Sequence, residues 1–383
     1  MQTDDRASPS PSAHELRAAF DAPAPLSVGL EEEVMLLDPA SFYLAPVAEQ
    51  AVAALGDPRF KLELPASQLE IVVGPVRSVP EAIAALADGR RDLAAGLADL
   101  ARPGVAAVHP TAEAEGELNR GPRYDRTQRE FGPVARRQLV CALQVHVAVG
   151  GADRTLAVYN ALRSHLPDLA ALAANGPFHA GRDTGLASIR PSIGTLLPRQ
   201  GVPPPIDGWG DFAEALRWGA ASETVPEPGV WWWELRPHAS FGTLELRVPD
   251  AQTTVAEAAG VAAVAHALVG RLAERFDAGE ALPVTPTWRI EENRWSAARW
   301  GVEGTMADLE TGERTPTRER LGALLDDLAP AAARLGCADE LAAARALVAG
   351  NGALRQRAVA ADAGIGGVAP WLAQRFLGAP DER

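Results

Sequence analysis

Residues 27–38, SVGLEEEVMLLD, place three consecutive glutamates inside an apolar run. The flanks, Ser27–Leu30 and Val34–Leu37, have the character of a buried strand. Strand side chains alternate faces with a period of two. Glu31 and Glu33 therefore share one face, and Glu32 takes the other. A fold that accepts this strand must give neighbouring carboxylates two different surroundings.

The same asymmetry recurs along the chain. In Gln68–Val73, Gln68 and Glu70 oppose Leu69 and Ile71. In Leu139–Val149, Gln144 and His146 oppose Cys141, Leu143, Val145, Val147 and Val149. In Gly242–Pro249, Glu245 and Arg247 oppose Leu244, Leu246 and Val248. Glu234 and Arg236 alternate likewise in Trp231–Pro237, which pairs with Gly242–Pro249 as a hairpin. Glu63 lies seven residues before Glu70, across Pro65. A sheet with one solvated face is the plain alternative. Such a face mixes Lys, Thr, Ser and Glu, whereas this one concentrates carboxylates and has no lysine. Like charges side by side on a sheet repel unless cations compensate.

Carboxylates with one imidazole and no thiolate suit hard divalent ions, Mg²⁺ or Mn²⁺. Five or six such ligands imply more than one ion. Because Mg²⁺ usually shares its shell with phosphates, a nucleotide is expected beside it. Glu31 and Glu33 read as ligands on the inner face, with Glu32 facing away.

Composition narrows the class. Lys61 is the only lysine among 36 basic residues. No Gly-Lys-Ser/Thr phosphate loop exists, and Phe60-Lys61-Leu62 does not match the strand lysine of protein kinases. Phosphates would be handled by arginines and metal ions. The net charge of −14 argues against nucleic acid or anionic membrane as partner. Two cysteines, Cys141 and Cys337, exclude a disulfide framework and a cysteine-built zinc site, and favour a reducing, cytoplasmic setting. The N-terminus has neither the basic start nor the apolar core of a secretory signal. No apolar run reaches the ~20 residues of a membrane span.

Residues 1–24, rich in Ser, Pro, Ala and Asp, read as a flexible tail with a short helix at 14–20. Residues 25–383 read as a single domain. A helix starts after Ser78, with Ile83, Leu86, Leu93, Leu97 and Leu100 at helical spacing. Residues 110–137 read as a long loop or lid. Residues 175–210 read as a long irregular region, which in a compact domain is usually functional or disordered. Thr254 and Glu257 make a capping box for a long helix, and the chain from about residue 315 is mostly helix. Strands come in pairs and runs, so the class is α+β with an antiparallel sheet. His179 and His238 adjoin site segments but, like the remaining histidines, read as surface or core. Trp231-Trp232-Trp233 reads as core and interface, and with the Ala-rich helices it favours a homodimer. Gly364–Gly367 reads as a helix stop.

Six motifs occur in the order seen in one family: Gly29–Glu33, Leu69–Ile71, Gln144–His146, Asp183–Arg190, Pro198–Pro204 and Thr243–Asp250. Over about Leu26–Ala360 the chain resembles the glutamate–cysteine ligase type 2 family, bacterial carboxylate–amine ligases of the glutamine synthetase-like superfamily. The resemblance implies a curved antiparallel sheet of about six strands with flanking helices. It implies ATP and two or three Mg²⁺ (or Mn²⁺) ions on the inner face, and formation of γ-glutamylcysteine with release of ADP and phosphate. Carried over, Glu31, Glu33, Glu63, Glu70, His146 and Glu245 would be metal ligands. Glu31, Glu245 and Arg247 would serve catalysis, and Arg247 and Arg236 would hold the nucleotide phosphates. Ser188 and Arg190 would contact substrate. The partners implied are small molecules: an amino-acid carboxylate, an amine and ATP. One departure is Ala174-Asn175-Gly176-Pro177-Phe178, where such ligases often show Ser-Ser-Pro-Phe. The same fold would also admit another amine or carboxylate, or an ATP-dependent phosphotransferase.

Overall fold

The computed structural model describes residues 10–97, 99–224 and 231–378. Helix α1 (Ala13–Asp21) opens with a full capping box between Ser12 and Glu15. Its Leu16 and Phe20 are fully buried, and Phe20 stacks on Trp209 at 4.7 Å. The short helix expected within the N-terminal tail is present, and two apolar side chains one helical turn apart dock it. Residues 1–9 of that tail lie outside the described residues.

Strand β1 (Val28–Leu37), helix α2 (Ala48–Leu55), and strands β2 (Phe60–Leu62) and β3 (Gln68–Val76) follow. Helix α3 (Val79–Gly96) is capped by Ser78, whose hydroxyl accepts from the Glu81 amide. Strand β4 (Arg102–Gly104) leads to helices α4 (Pro122–Phe131) and α5 (Pro133–Arg136), where the sequence suggested a loop. Charged side chains had masked the helical spacing. Strand β5 (Leu143–Val147) is shorter than expected. Helices α6 (Ala152–Leu162) and α7 (Leu166–Ala173), the small hairpin β6 (Phe178–His179) and β7 (Arg182–Asp183), and helices α8 (Arg190–Gly194) and α9 (Trp209–Ala221) come next. The hairpin β8 (Leu235–His238) and β9 (Thr243–Leu246) closes the sheet. Beyond it lie α10 (Val255–Asp277), α11 (Thr287–Trp300), a hairpin of β10 (Thr305–Ala307) and β11 (Arg314–Pro316), and α12 (Thr317–Leu335), α13 (Ala338–Ala349), α14 (Gly352–Ala363) and α15 (Val368–Arg375).

The main sheet has seven strands, ordered β2-β3-β1-β5-β9-β8, with β4 also on β1. Every pairing in it is antiparallel. The register of β1 on β3 slips between Val28 and Leu30, opposite Pro75, which has no amide to give the ladder. One face, carrying Leu30, Val34, Leu69, Ile71, Leu143, Val145, Leu244 and Leu246, is fully buried. Helices α3 and α10 cover it.

Helix α10 corrects a second expectation. Its 23 residues are long and apolar enough to cross a membrane by length and composition. It is instead a core helix, with 83% of its most apolar window buried in the protein. Its start is the expected capping box of Thr254 and Glu257.

Glu32 lies on the helix-covered face. Arg90 of α3 donates to both its oxygens, Nε at 2.8 Å and Nη2 at 2.6 Å. The same guanidinium donates to the backbone oxygens of Thr253, Phe376 and Gln252 at 3.0, 2.8 and 2.7 Å. Both side chains are completely buried. One ion pair thus ties β1 to α3, to the approach to α10 and to the C-terminal segment.

Candidate active site

The opposite face of the sheet floors a cleft of about 440 Å³. Strand pairing sets its chemistry. Glu33 stands directly across from Glu70, and His146 directly across from Glu245, which in turn faces Arg236 on β8. Gly29 lies opposite His146, and a Cβ there would meet the Val73 oxygen at 3.1 Å. Glu63, just past β2, is anchored where the Asn119 side chain donates to its backbone oxygen at 2.6 Å.

The six predicted metal ligands come together as two triads. Glu31, His146 and Glu245 form one, and Glu33, Glu63 and Glu70 the other; in each, the ligand atoms lie within 4.8 Å of one another. Arg247 stands between them. It donates to Glu245 and to Gln144, and Arg236 donates to the other Glu245 oxygen. Glu33 accepts from the Ala142 amide at 2.7 Å and from Gln144 at 3.0 Å.

The triads differ electrostatically. Burial raises the Glu245 carboxyl, but Arg247, Arg236 and His146 outweigh it and hold the group below the usual range. Glu31 is lowered too, because neighbouring His146 outweighs burial. In the second triad burial dominates and mutual repulsion adds to it. Glu33 is pushed up to about 7, Glu63 is raised, and Glu70 is raised well above its ordinary value. The charge of Arg247 opposes protonation at all five carboxylates.

Both triads fit divalent cations. The His146 Nδ1 lies 3.0 Å from the Thr243 hydroxyl, which orients the ring. Its Nε2 is buried without a hydrogen-bond partner, 3.5 Å from a Glu31 oxygen. Buried Glu33 and Glu70 and half-buried Glu63, all driven toward protonation, would be relieved by a positive charge. Glu245 accepts from arginine at both oxygens, yet each retains a second lone pair.

Other predicted residues fall elsewhere. Arg190 lines the cleft, but its guanidinium donates to the backbone oxygens of Val248 and Arg247 at 3.1 and 2.8 Å. It therefore braces the strand end that carries Arg247. Ser188, expected to contact substrate, is buried and is not among the residues that line the cleft. Asn175, in the departing segment, is fully buried and binds Asp250, Ala251 and Thr253. That departure is structural and does not reach the cleft wall. Of the tryptophan run, Trp231 packs on Phe212, as a core reading requires, but Trp232 lines the cleft beside Phe131 and Arg199. Cys141 and Cys337 are buried. Gly364 ends α14 as expected.

The sequence places His238 next to a site segment without giving it a role there, and Phe241 is not among the candidate residues. His238 stacks on Phe241 at 4.2 Å, lies 5.6 Å from His146 between ring centroids, and lines the cleft. Burial lowers its pKa to about 4. Its spacing of two from Arg236 was the available signal. Arg123, Tyr124 and Arg126 of α4 also line the cleft, and no strand pattern could have pointed to them.

Comparison with known proteins agrees with this architecture. Residues 27–368 match Glutamate-cysteine ligase family 2. A Frankia alni protein provisionally named glutamate–cysteine ligase 2-1 is 35% identical over 356 residues, covering 90% of this chain and 93% of that one. A Rubrobacter xylanophilus protein, provisionally named glutamate–cysteine ligase 2-3, is 37% identical over 370 residues, covering 94% and 99%. Among solved structures, the glutamate–cysteine ligase of Francisella tularensis in complex with AMP superposes with a TM-score of 0.68 at 12% identity, covering 92% of this chain and 89% of that one. The ligase PafA, solved with the ubiquitin-like protein Pup, gives 0.52 at 13%, covering 91% and 72%. At such identities the structural likeness speaks for the fold: α+β with an open, mostly antiparallel sheet. The family match and the near full-length relatives together show that the chain belongs to glutamate-cysteine ligase family 2, a family of ATP-dependent ligases.

Proposed function

We propose that the protein joins the γ-carboxylate of L-glutamate to the amine of L-cysteine, with ATP as phosphoryl donor. The observation that carries this reading is Arg247 standing between two carboxylate-rich triads on one polar sheet face. A carboxylate is a poor electrophile. Its γ-oxygen attacks the terminal phosphorus of ATP, the bond to the bridging oxygen breaks, and ADP leaves. The amine nitrogen then attacks the acyl carbon. The carbon–nitrogen bond forms, the carbon–oxygen bond to phosphate breaks, and the nitrogen gives up a proton. Catalysis of this kind is positioning plus neutralisation of charge.

The residues match those needs. Glu245 and the Gln144 side chain accept from the Arg247 guanidinium and hold it in place, and its own pKa is raised, so it stays charged beside phosphoryl oxygens. Glu31, His146 and Glu245 would hold one divalent ion, and Glu33, Glu63 and Glu70 another. When bound, such ions screen the charge gathered on the transferring group. No side-chain nucleophile is required, in keeping with the burial of both cysteines.

The test is ADP release with Mg²⁺ and L-glutamate against a panel of amines that includes L-cysteine, with mass spectrometry of the products. γ-Glutamylcysteine is the expected product. A different amide would keep the ligase and change its acceptor. ADP with no amide would replace it with a phosphotransferase, and no ADP would overturn the reading.

A further inference from the structure

Helix α4 is the odd element of the fold. None of its ten residues is buried. A helix this short has little stability of its own in water and normally relies on an apolar face. Yet Arg123, Arg126, Thr127, Glu130 and Phe131 follow the i, i+3, i+4, i+7, i+8 spacing of such a face, and all five line the cleft. The helix turns its packing stripe toward the cavity rather than toward the core.

Its attachments are few. The Tyr124 hydroxyl donates to the Leu62 oxygen at 2.7 Å, and Phe131 meets Trp232 edge-on at 5.6 Å. Glycines in backbone conformations that other residues rarely adopt bound it: Gly121 at φ 133° and Gly132 at φ 55°. Open space surrounds the Cβ position of Gly132, so conformation alone accounts for that glycine.

The charge of α4 is also out of place. Around the cleft Arg236 and Arg247 pair with Glu245, Arg294 with Glu234, and Arg190 with Asp250. Among the described residues, neither the Arg123 nor the Arg126 guanidinium forms an ion pair or hydrogen bond. Arg123 stands near enough to Glu63 to favour its charged form, and it also lines a neighbouring cleft that reaches Glu63 and Glu70 along β2. Two uncommitted cations on the wall of a cleft in a chain of net charge −14 call for an anion from outside the chain.

We infer that Arg123 and Arg126 grip an anionic group of the bound substrates and thereby dock α4 over the cleft. The group is a phosphate of the nucleotide or a carboxylate of the amino acid, and arginine suits either through its planar donor fork. The inference rests on the reading that this cleft takes both compounds.

The test combines kinetics with hydrogen exchange. Arg126→Gln and Arg123→Gln should each raise one KM about tenfold, for ATP or for L-glutamate, and leave the other within about twofold. The KM that moves names the source of the anion. Arg126→Lys should recover part of the loss, and Arg129→Gln, which does not line the cleft, should change neither KM. In the unaltered protein, amide exchange over residues 120–137 should slow on adding Mg²⁺ with a non-hydrolysable ATP analogue, or on adding L-glutamate. Arg126→Gln should abolish that slowing. Unchanged KM values together with unchanged exchange would overturn the inference. If the protein releases no ADP at all, the functional reading fails, but the exchange experiment with each compound alone still decides the role of α4.

Discussion

Glu32 and its neighbours Glu31 and Glu33 are the same residue type on the same strand, and their surroundings are opposite. Glu32 is sealed against Arg90, which satisfies both its oxygens and three backbone carbonyls besides. Glu33, one residue on, shares its surroundings with Glu63 and Glu70 and is driven toward protonation. Burial is not what separates them, since Glu32 and Glu33 are both buried. The difference is whether the fold itself supplies the counter-charge. On the helix face it does, and the result is a brace. On the cleft face it is left incomplete, and the result is a site whose missing positive charge must arrive with ligands.

The contrast can be broken from either side. The largest expected effect is on the cleft face. Glu31→Gln should lower Mg²⁺-dependent ATP turnover by about 10³-fold if, as proposed, Glu31 holds a metal ion beside the transferring phosphoryl group. Thermal stability should fall only slightly, because the loss of the favourable His146 contact is offset in part by relief of repulsion on Glu63 and Glu70. Calorimetry and a coupled ADP assay on one preparation read both, and unchanged turnover would sink the ligand assignment.

On the helix face the outcomes reverse. Arg90→Ala should cost about 3–5 kcal/mol of stability, because it strands a buried carboxylate and three carbonyls. Denaturant unfolding measures it. Replacing both partners, Glu32→Leu with Arg90→Met, should cost much less than the single change. Equal losses would show that the carbonyl contacts, rather than the charge pair, carry the brace.

The smallest effect is a pH dependence that separates the faces. Glu33 has a folded-state pKa raised to about 7 from an ordinary 4.5, so the folded, metal-free protein binds a proton more tightly than the unfolded chain. The stability this contributes is present below pH 4.5 and is lost as pH rises toward 7. Glu63 and Glu70 shift in the same direction. Melting temperature in chelator should therefore fall between pH 5 and pH 8. Added Mg²⁺ should raise it more at pH 8 than at pH 5, since the ion competes with protons for the carboxylates. Equal stabilisation at both pH values would mean that the second triad is not where the ion binds.

The strand faces were legible because alternation is local. Glu31 opposite Glu32, Gln144 beside His146 and Glu245 beside Arg247 follow from a two-residue repeat, and the structure keeps each of them. Helix caps were legible for the same reason, as Thr254 and Glu257 show. His238 sat within that reach, two residues from Arg236, and was read as surface or core. The helix at 122–131 was not readable, because its packing stripe carries arginine, threonine and glutamate where a core helix carries leucine. Nor was Ser188 as a residue behind the cleft, since a motif says which residues travel together and not which way each one points.

What the sequence determined by itself was the chemistry: carboxylates, one imidazole and arginines on one sheet face, no phosphate-loop lysine, and Cys141 on the apolar side. What only the tertiary structure decided was the grouping. Sorting the six candidate ligands into two triads around Arg247 depends on strand pairings between segments far apart in the chain, such as β1 with β5 and β5 with β9. Register of that kind comes from the packing of the whole sheet against α3 and α10, and no local pattern contains it.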